Sequence, residues 1–360
     1  MSDKLHQLLI QQLNLVDGPT LWVIDENLSA AELQSIHPHP QLIALTNRYD
    51  VQQSLQQADV QVNLNDFDFS QWAENSFVKI IYRVSKERAL VHHCINHAFR
   101  LLQPEGQLLL LGGKQDGIKT NAKSAATVFG SKVHSKKHGI HYLVTVRKSV
   151  AAASESTRNY LDSNDYSNLR PCHSDGMEFL SKPGVFGWNK IDRGSALLVE
   201  QTRELFADGS AQQVELKNVL DLGCGYGYIL LATRDLPFRS RTATDNNAAA
   251  VLAATANFTR EELTVSVSLD DCGANLAQSF DLILCNPPFH QGFASSRDLT
   301  EKFLQQIHRL LTKEGQAILV VNQFIPLEKL ASDYFGNIET LCSTESYKVV
   351  GLKYAKARKR

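Results

Sequence analysis

Val219–Ile229, VLDLGCGYGYI, is the stretch that decides how this chain reads. A short apolar run carrying Asp221 ends at Leu222. Gly223, Gly225 and Gly227 then alternate before Tyr228 opens a second apolar run. The pattern predicts a buried strand, a sharp turn and a helix. Glycine permits the turn and a close approach of backbone to ligand, and the first helical turn offers unpaired N–H groups. A dinucleotide turn of the GxGxxG type needs its third glycine at position 228, where this chain has Tyr228.

Downstream, TATDNN (Thr242–Asn247) predicts a second strand ending at Asp245, where a carboxylate can accept from both hydroxyls of a ribose. A third strand leads to Asp270 and Asp271. Either could accept from an adenine amino group, either could cap the loop, and the sequence does not choose. A fourth strand runs into NPPF, Asn286–Phe289, inside DLILCNPPFHQGF (Asp281–Phe293). The prolines fix the loop and remove donors. The Asn286 side-chain carbonyl and the Pro287 backbone carbonyl can accept the two N–H bonds of an amino group on a base. That would hold the nitrogen beside a reactive methyl and favour a tetrahedral geometry, while Phe289 stacks on the ring. A GxGxG loop followed by NPPF is similar to the loops that hold S-adenosylmethionine and an amine acceptor in class I methyltransferases.

Working outward, strand-like and helix-like runs alternate along the chain, so the fold class is α/β with mostly parallel sheets. Strands are expected at Leu21–Ile24, Leu42–Leu45, Phe77–Tyr82, Leu108–Leu111 and His141–Val146. A second set is expected at Val219–Leu222, Arg241–Thr244, Val265–Leu269, Leu282–Cys285 and Ala317–Val321. FRLLQPEGQLLLL (Phe99–Leu111) aligns without gaps on HRLLTKEGQAILV (His308–Val320), each predicting a helix end, a glycine turn and a strand. The fold therefore reads as a duplication. A Ser-, Asn- and Asp-rich stretch between the halves predicts one domain at 1–150, a linker at 151–182 and a second domain at 183–360.

Composition sets bounds. With 360 residues, 43% of them hydrophobic and 21% charged, the chain has the make-up of a globular protein. No signal-like or bilayer-length apolar run is visible, so a cytoplasmic location is expected. The six cysteines are scattered, which predicts free thiols, and neither they nor the twelve histidines show metal-ligand spacing. The net charge of −1 hides two basic segments. Residues 112–148 carry eight basic side chains and one acidic, and the tail from Lys348 carries six basic and none acidic. Lys114, Lys119, Lys123, Lys132, Lys136 and Lys137, with Lys356, Arg358, Lys359 and Arg360, are the candidate phosphate contacts.

The glycine loop, Asp245, NPPFH and PGVFGWNKIDRGSALLVE (Pro183–Glu200) together resemble the RsmC family of small-subunit ribosomal RNA guanine-N2 methyltransferases. The resemblance implies two tandem class I (Rossmann-like) methyltransferase domains. The second is catalytic; the first is a degenerate copy that engages RNA. It further implies S-adenosylmethionine as cofactor, 16S rRNA or the small ribosomal subunit as partner, no metal, no membrane and a monomer. By likeness, Phe186, Asp192, Gly194 and Ser195 close over the cofactor. Asp221, Gly223, Cys224, Gly225, Gly227, Asp245, Asn246 and Asn286 line it, together with Asp270 or Asp271, while Asn286, Pro287, Pro288 and Phe289 hold the guanine. Two departures bear on the loops: Tyr226 is bulkier than the usual small residue, and Gly187-Trp188 replaces a serine-containing turn. The related 23S rRNA guanine-N2 enzyme, or another NPPF-type amino methyltransferase, is the alternative. In the first half, Asp25-Glu26-Asn27-Leu28 and Arg83-Val84-Ser85-Lys86 stand where the glycine loop and NPPF would be.

Overall fold

The computed structural model describes every residue except 1–3, 27, 29, 150–159, 162–165, 208–216, 289–295 and 357–360. The chain divides into two compact units, Met1–Asn168 and Leu169–Arg360. In the first, β1 (Thr20–Ile24), β2 (Leu42–Thr46), β3 (Gln61–Leu64), β4 (Phe77–Arg83), β5 (Leu102–Gly113), β6 (Val133–His138) and β7 (His141–Arg147) form a sheet ordered β3-β2-β1-β4-β5-β7-β6. Pairing is parallel from β3 to β5, and β7 runs antiparallel to both β5 and β6.

The second unit opens with a hairpin of β8 (Arg170–Ser174) and β9 (Met177–Ser181). Its main sheet comprises β10 (Lys217–Leu222), β11 (Phe238–Asp245), β12 (Ser266–Leu269), β13 (Phe280–Cys285), β14 (Leu311–Asn322), β15 (Phe335–Ser343) and β16 (Tyr347–Ala355). These are ordered β12-β11-β10-β13-β14-β16-β15, the same order as in the first unit. The expected α/β duplication is therefore present strand for strand.

The middles of the central strands are largely apolar because both their faces are covered. In β1, Leu21 and Val23 enter a core with Ile95 and Phe99 of the helix Arg88–Leu101. Trp22 and Ile24 point the other way, into a core with Leu5 and Leu9 of the helix Lys4–Leu13. In β10, Leu220 and Leu222 join Phe303 and Ile307, whereas Val219 joins Leu198 and Phe258.

The structure differs from three sequence expectations. The segment expected as linker is partly built into both units. Tyr166 is fully buried in the first core with its hydroxyl donating to Asp66 at 2.7 Å, and residues 170–181 form the β8–β9 hairpin. The glycine turns at Gly106 and Gly315 lie inside β5 and β14, as register breaks in long strands. A Cβ on Gly106 would sit 2.9 Å from the Gln103 carbonyl oxygen, so lack of room selects glycine there. The basic tail is also shorter than expected, because Lys348 and Lys353 belong to β16, and Lys348 donates to Glu328 at 2.6 Å. No helix among the described residues is long and apolar enough to cross a membrane.

Candidate functional site

The glycine loop begins where β10 ends. Gly223, Gly225 and Gly227 have φ values of +84°, +55° and +92°, a region that L side chains adopt at a cost. The three are not equivalent. A Cβ on Gly225 would meet nothing within 4 Å and on Gly223 only an atom at 4.0 Å, whereas on Gly227 it would sit 2.7 Å from Phe258 Cζ. Gly223 and Gly225 therefore line open space, and Gly227 makes room for packing.

The loop is held from two sides. The Gly223 and Cys224 N–H groups both donate to the Thr244 carbonyl at 2.9 Å, and Gly225 N–H donates to Asp245 Oδ2 at 2.9 Å. Asp245 Oδ1 accepts from Asn247 N–H at 2.9 Å. Burial raises the Asp245 pKa, and backbone N–H groups of Gly225, Asn247 and Asn246 oppose that rise. On the far side, Asn257 Nδ2 donates to the Tyr226 carbonyl at 2.9 Å and to the Leu180 carbonyl at 2.8 Å. Asn257 is thus a loop-holding residue that the sequence reading missed. Its only local signal is a polar side chain in the alanine-rich helix Ala248–Arg260. The bulk of Tyr226 is absorbed by the hairpin, where its ring stacks on Phe179 with centroids 4.3 Å apart.

Asp221 is completely buried, and neither carboxylate oxygen has a hydrogen-bond partner among the described residues. Burial first, and the nearby Asp245 charge second, push its pKa up to about 8. A carboxylate left without donors in a protein interior is costly and marks a place where a cationic or donor group belongs.

Asn286 follows β13 directly, with its Nδ2 donating to Asp192 Oδ2 at 3.0 Å and to Ser195 Oγ at 2.8 Å. No described residue donates to its Oδ1. Pro287 is buried and Pro288 half-buried beside it, while Phe289 and His290 lie outside the described residues. The expected closing segment is tied to the same end of the sheet through Asn247 Nδ2, which donates to the Gly184 carbonyl at 2.9 Å. Within it, Phe186 is 70% exposed, and Asp192 and Ser195 face Asn286. Gly194 is buried between Asp192 and Tyr347.

Asp270, a candidate adenine contact, is buried and accepts from Asn275 N–H at 3.0 Å and Asn275 Nδ2 at 3.2 Å, so it closes its own loop. Asp271 is half-buried and ion-paired with Lys302. Cys224 and Cys285 are buried thiols whose pKa values burial drives upward. Among the described residues, no group of His, Cys, Asp and Glu side chains is arranged to hold a metal ion.

Strand register locates the corresponding positions in the first unit. Phe77 and Phe280 open β4 and β13, each just before a register break. Four residues on, Ile81 pairs with Trp22 and Leu284 pairs with Asp221. Trp22 therefore stands where the second unit has its buried carboxylate. By the same count Thr46 stands for Asp245 and Arg83 for Asn286. Trp22 is fully buried, and Tyr82 donates to Asp25 at 2.7 Å where the second unit has Cys285 and Cys224. The frame is kept and the site is filled. Lys114, Lys119, Lys123, Lys132, Lys136 and Lys137 are all exposed, and no acidic partner is seen for them among the described residues. Lys356 instead donates to the Ser332 carbonyl at 2.6 Å, and Arg358, Lys359 and Arg360 lie outside the described residues.

Comparison with known proteins agrees with this architecture. The Methyltransferase small domain family matches residues 176–351, and the Methyltransferase small domain N-terminal family matches residues 6–160. The chain is 26% identical over 358 residues to ribosomal RNA small subunit methyltransferase C of Pseudoalteromonas translucida, covering 95% of this chain and 96% of that protein. It is 28% identical over 287 residues to the protein of the same name from Shewanella amazonensis, covering 79% and 80%. The T. thermophilus 16S rRNA N2 methyltransferase RsmC, solved with AdoMet and guanosine, shares the fold with a TM-score of 0.78 at 24% identity, covering 98% of this chain and 92% of that one. With paired family matches spanning both units and two sheets of one strand order, the chain is built of a Methyltransferase small domain N-terminal unit and a Methyltransferase small domain unit, and is similar over most of its length to the ribosomal RNA small subunit methyltransferases C.

Proposed function

We propose that this chain transfers a methyl group from S-adenosylmethionine to the exocyclic N2 of a guanosine in 16S rRNA. The observation that carries the proposal is Asn286, whose amide N–H bonds are both engaged while its carbonyl is left to accept from an incoming amine.

The residues present fit the cofactor. Asp221 supplies a buried, unpartnered carboxylate, Gly223 and Gly225 leave open space, and Asp245 offers its carboxylate to a ribose diol. Asn246 and the backbone of Cys224 complete that wall. When bound, the cofactor supplies an electrophilic methyl group on a positively charged sulfur. The protein's own part is to place the nucleophile. Asn286 Oδ1 and the Pro287 carbonyl accept the two N–H bonds of the guanine amine, drawing its lone pair out of conjugation and toward the methyl. Pro288 stiffens the loop, and Phe289 is assigned the stacking face. No side chain has to remove a proton before transfer. The paired amine is not open to the Asn286 loop, so the base is unpaired or flipped when it reacts.

The first unit is read as the RNA-engaging copy. Its own site is filled by Trp22 and Tyr82, and its six exposed lysines are assigned to phosphate contacts. Lys356 and the residues after it are kept as further phosphate contacts. An rRNA substrate supports a cytoplasmic location. The test is methyl transfer to small ribosomal subunits from cells lacking this gene, followed by mass-spectrometric mapping of the product. A methyl group on guanine N2 in 16S rRNA is expected; one found only in 23S rRNA, or on another base atom, would overturn the assignment.

A further inference from the structure

We infer that Asp192 and Ser195 are positioning residues that fix the direction of the Asn286 amide; the inference rests on the amine clamp proposed above. An asparagine amide is nearly symmetric in shape, and turning it over exchanges carbonyl and NH2. Only one of the two orientations can accept from a guanine amine. The structure removes the freedom to turn. Asn286 Nδ2 donates to Asp192 Oδ2 at 3.0 Å and Ser195 Oγ at 2.8 Å, so both N–H bonds are used. A carboxylate accepts only, and the reversed amide would set Oδ1 against Asp192 Oδ2, acceptor against acceptor.

Asp192 has an ordinary role as well. Ser195 N–H donates to Asp192 Oδ2 at 2.9 Å and Ala196 N–H to the Asp192 carbonyl at 2.9 Å, which makes Asp192 the cap of the helix Arg193–Ala207. Capping does not require the second bond, which reaches across 94 residues of sequence to the substrate loop. Gly194 fits the same design, since a Cβ there would lie 3.0 Å from Asp192 Oδ2 and 3.2 Å from Tyr347 Cε1. The tether also links the closing segment to the acceptor loop.

Capping and positioning separate by variant. Asp192→Ser keeps a capping oxygen on an arm too short to reach Asn286. Asp192→Asn keeps an acceptor at full reach, and Ser195→Ala removes the other acceptor without touching the cap. In the full-length chain, kcat on small subunits, S-adenosylmethionine affinity by calorimetry and thermal midpoint are measured for each, and for Asp192→Ser combined with Asn286→Ala. We expect Asp192→Ser to lower kcat by about tenfold or more, Ser195→Ala by less, and Asp192→Asn to recover most of the loss. Cofactor affinity falls by less than kcat, the thermal midpoint stays close to wild type, and the double variant is no slower than Asn286→Ala alone. Additive losses, a matching fall in cofactor affinity, or a kcat loss that follows the thermal midpoint would each overturn the inference. Absence of guanine-N2 transfer by the wild-type chain would instead overturn the proposed function, and it is read first.

Discussion

Gly225 and Gly227 belong to one loop and both have positive φ, yet alanine should break different properties at the two sites. At Gly227, φ is +92° and the new Cβ would sit 2.7 Å from Phe258 Cζ and 2.9 Å from Cε1. Phe258 is 3% exposed and packed in the core beside Leu230 and Leu282, so its ring has nowhere to go. The backbone strain costs about 1–2 kcal/mol and the overpacking a further ~1–3 kcal/mol, giving roughly 2–5 kcal/mol in all. For a unit of this size that lowers the midpoint by roughly 5–15 °C. At Gly225, φ is +55° and nothing lies within 4 Å of the new Cβ, so only the backbone cost of about 1–2 kcal/mol applies. There the methyl enters the space assigned to cofactor, and affinity should fall about tenfold or more, equivalent to ~1.4 kcal/mol. Thermal unfolding and calorimetric titration with S-adenosylmethionine on both variants check this. A Gly227→Ala protein as stable as wild type, or a Gly225→Ala protein with unchanged affinity, would refute the division of labour.

Asn286→Ala should lower kcat by about a hundredfold or more while cofactor affinity stays within a few-fold, because it removes an acceptor that acts on the amine; single-turnover kinetics and titration separate the two. Asp221 has its pKa raised from the usual carboxylate range to about 8, so the folded state holds a proton that the unfolded state has lost. Its contribution is therefore full below pH 4 and is lost as pH rises through 8. Asp221→Asn should flatten the fall in denaturant stability over that window and abolish any tightening of the cationic cofactor between pH 6 and 9. Replacing Lys119, Lys123, Lys136 and Lys137 by Gln should weaken rRNA binding and flatten its salt dependence by about 0.7–0.9 in log–log slope for each phosphate no longer neutralised. Binding assays across a salt series read this directly, and an unchanged slope would remove the lysines from the interface.

The parts of the fold that were legible in sequence are those where one residue type answers one physical demand. Central strands must be apolar on both faces, so Leu21–Ile24 and Val219–Leu222 could be read without a structure. Of the four edge strands β12 was read, and β3, β6 and β15 were missed for the opposite reason. In β6, VHSKKH, four of six residues are charged or histidine, because a half-solvated edge tolerates them and lysine there blocks edge pairing. β16 was missed because its lysines drew it into the basic tail, although Val349, Val350 and Leu352 are fully buried. In the site, the glycines, Asp245 and Asn286 were legible because their chemistry is local to a turn. The contact of Asp192 and Ser195 with Asn286 was not. A capping pattern announces itself within four residues, and nothing in it names a partner on another element. The same limit hid Asn257, whose bonds to Tyr226 and Leu180 reach 31 and 77 residues away.

The filled site of the first unit explains why the second keeps an unpartnered Asp221. A buried carboxyl group without partners is costly in the free protein, where burial keeps Asp221 protonated up to about pH 8, and persists where a ligand supplies the missing partner. Take the ligand away for good, and an apolar side chain of sufficient volume becomes the more stable occupant. Trp22 stands at that position, fully buried, with Leu5, Leu9 and Ile81 in its core cluster. Thr46 at the Asp245 position can no longer accept from two hydroxyls. Arg83 at the Asn286 position has five donors and no acceptor, so it cannot receive an amine's hydrogens. Each change is unfavourable for methyl transfer. The two units therefore differ where the chemistry is done, and agree in strand order and in the register break between β4 and β5 and between β13 and β14, where it is not.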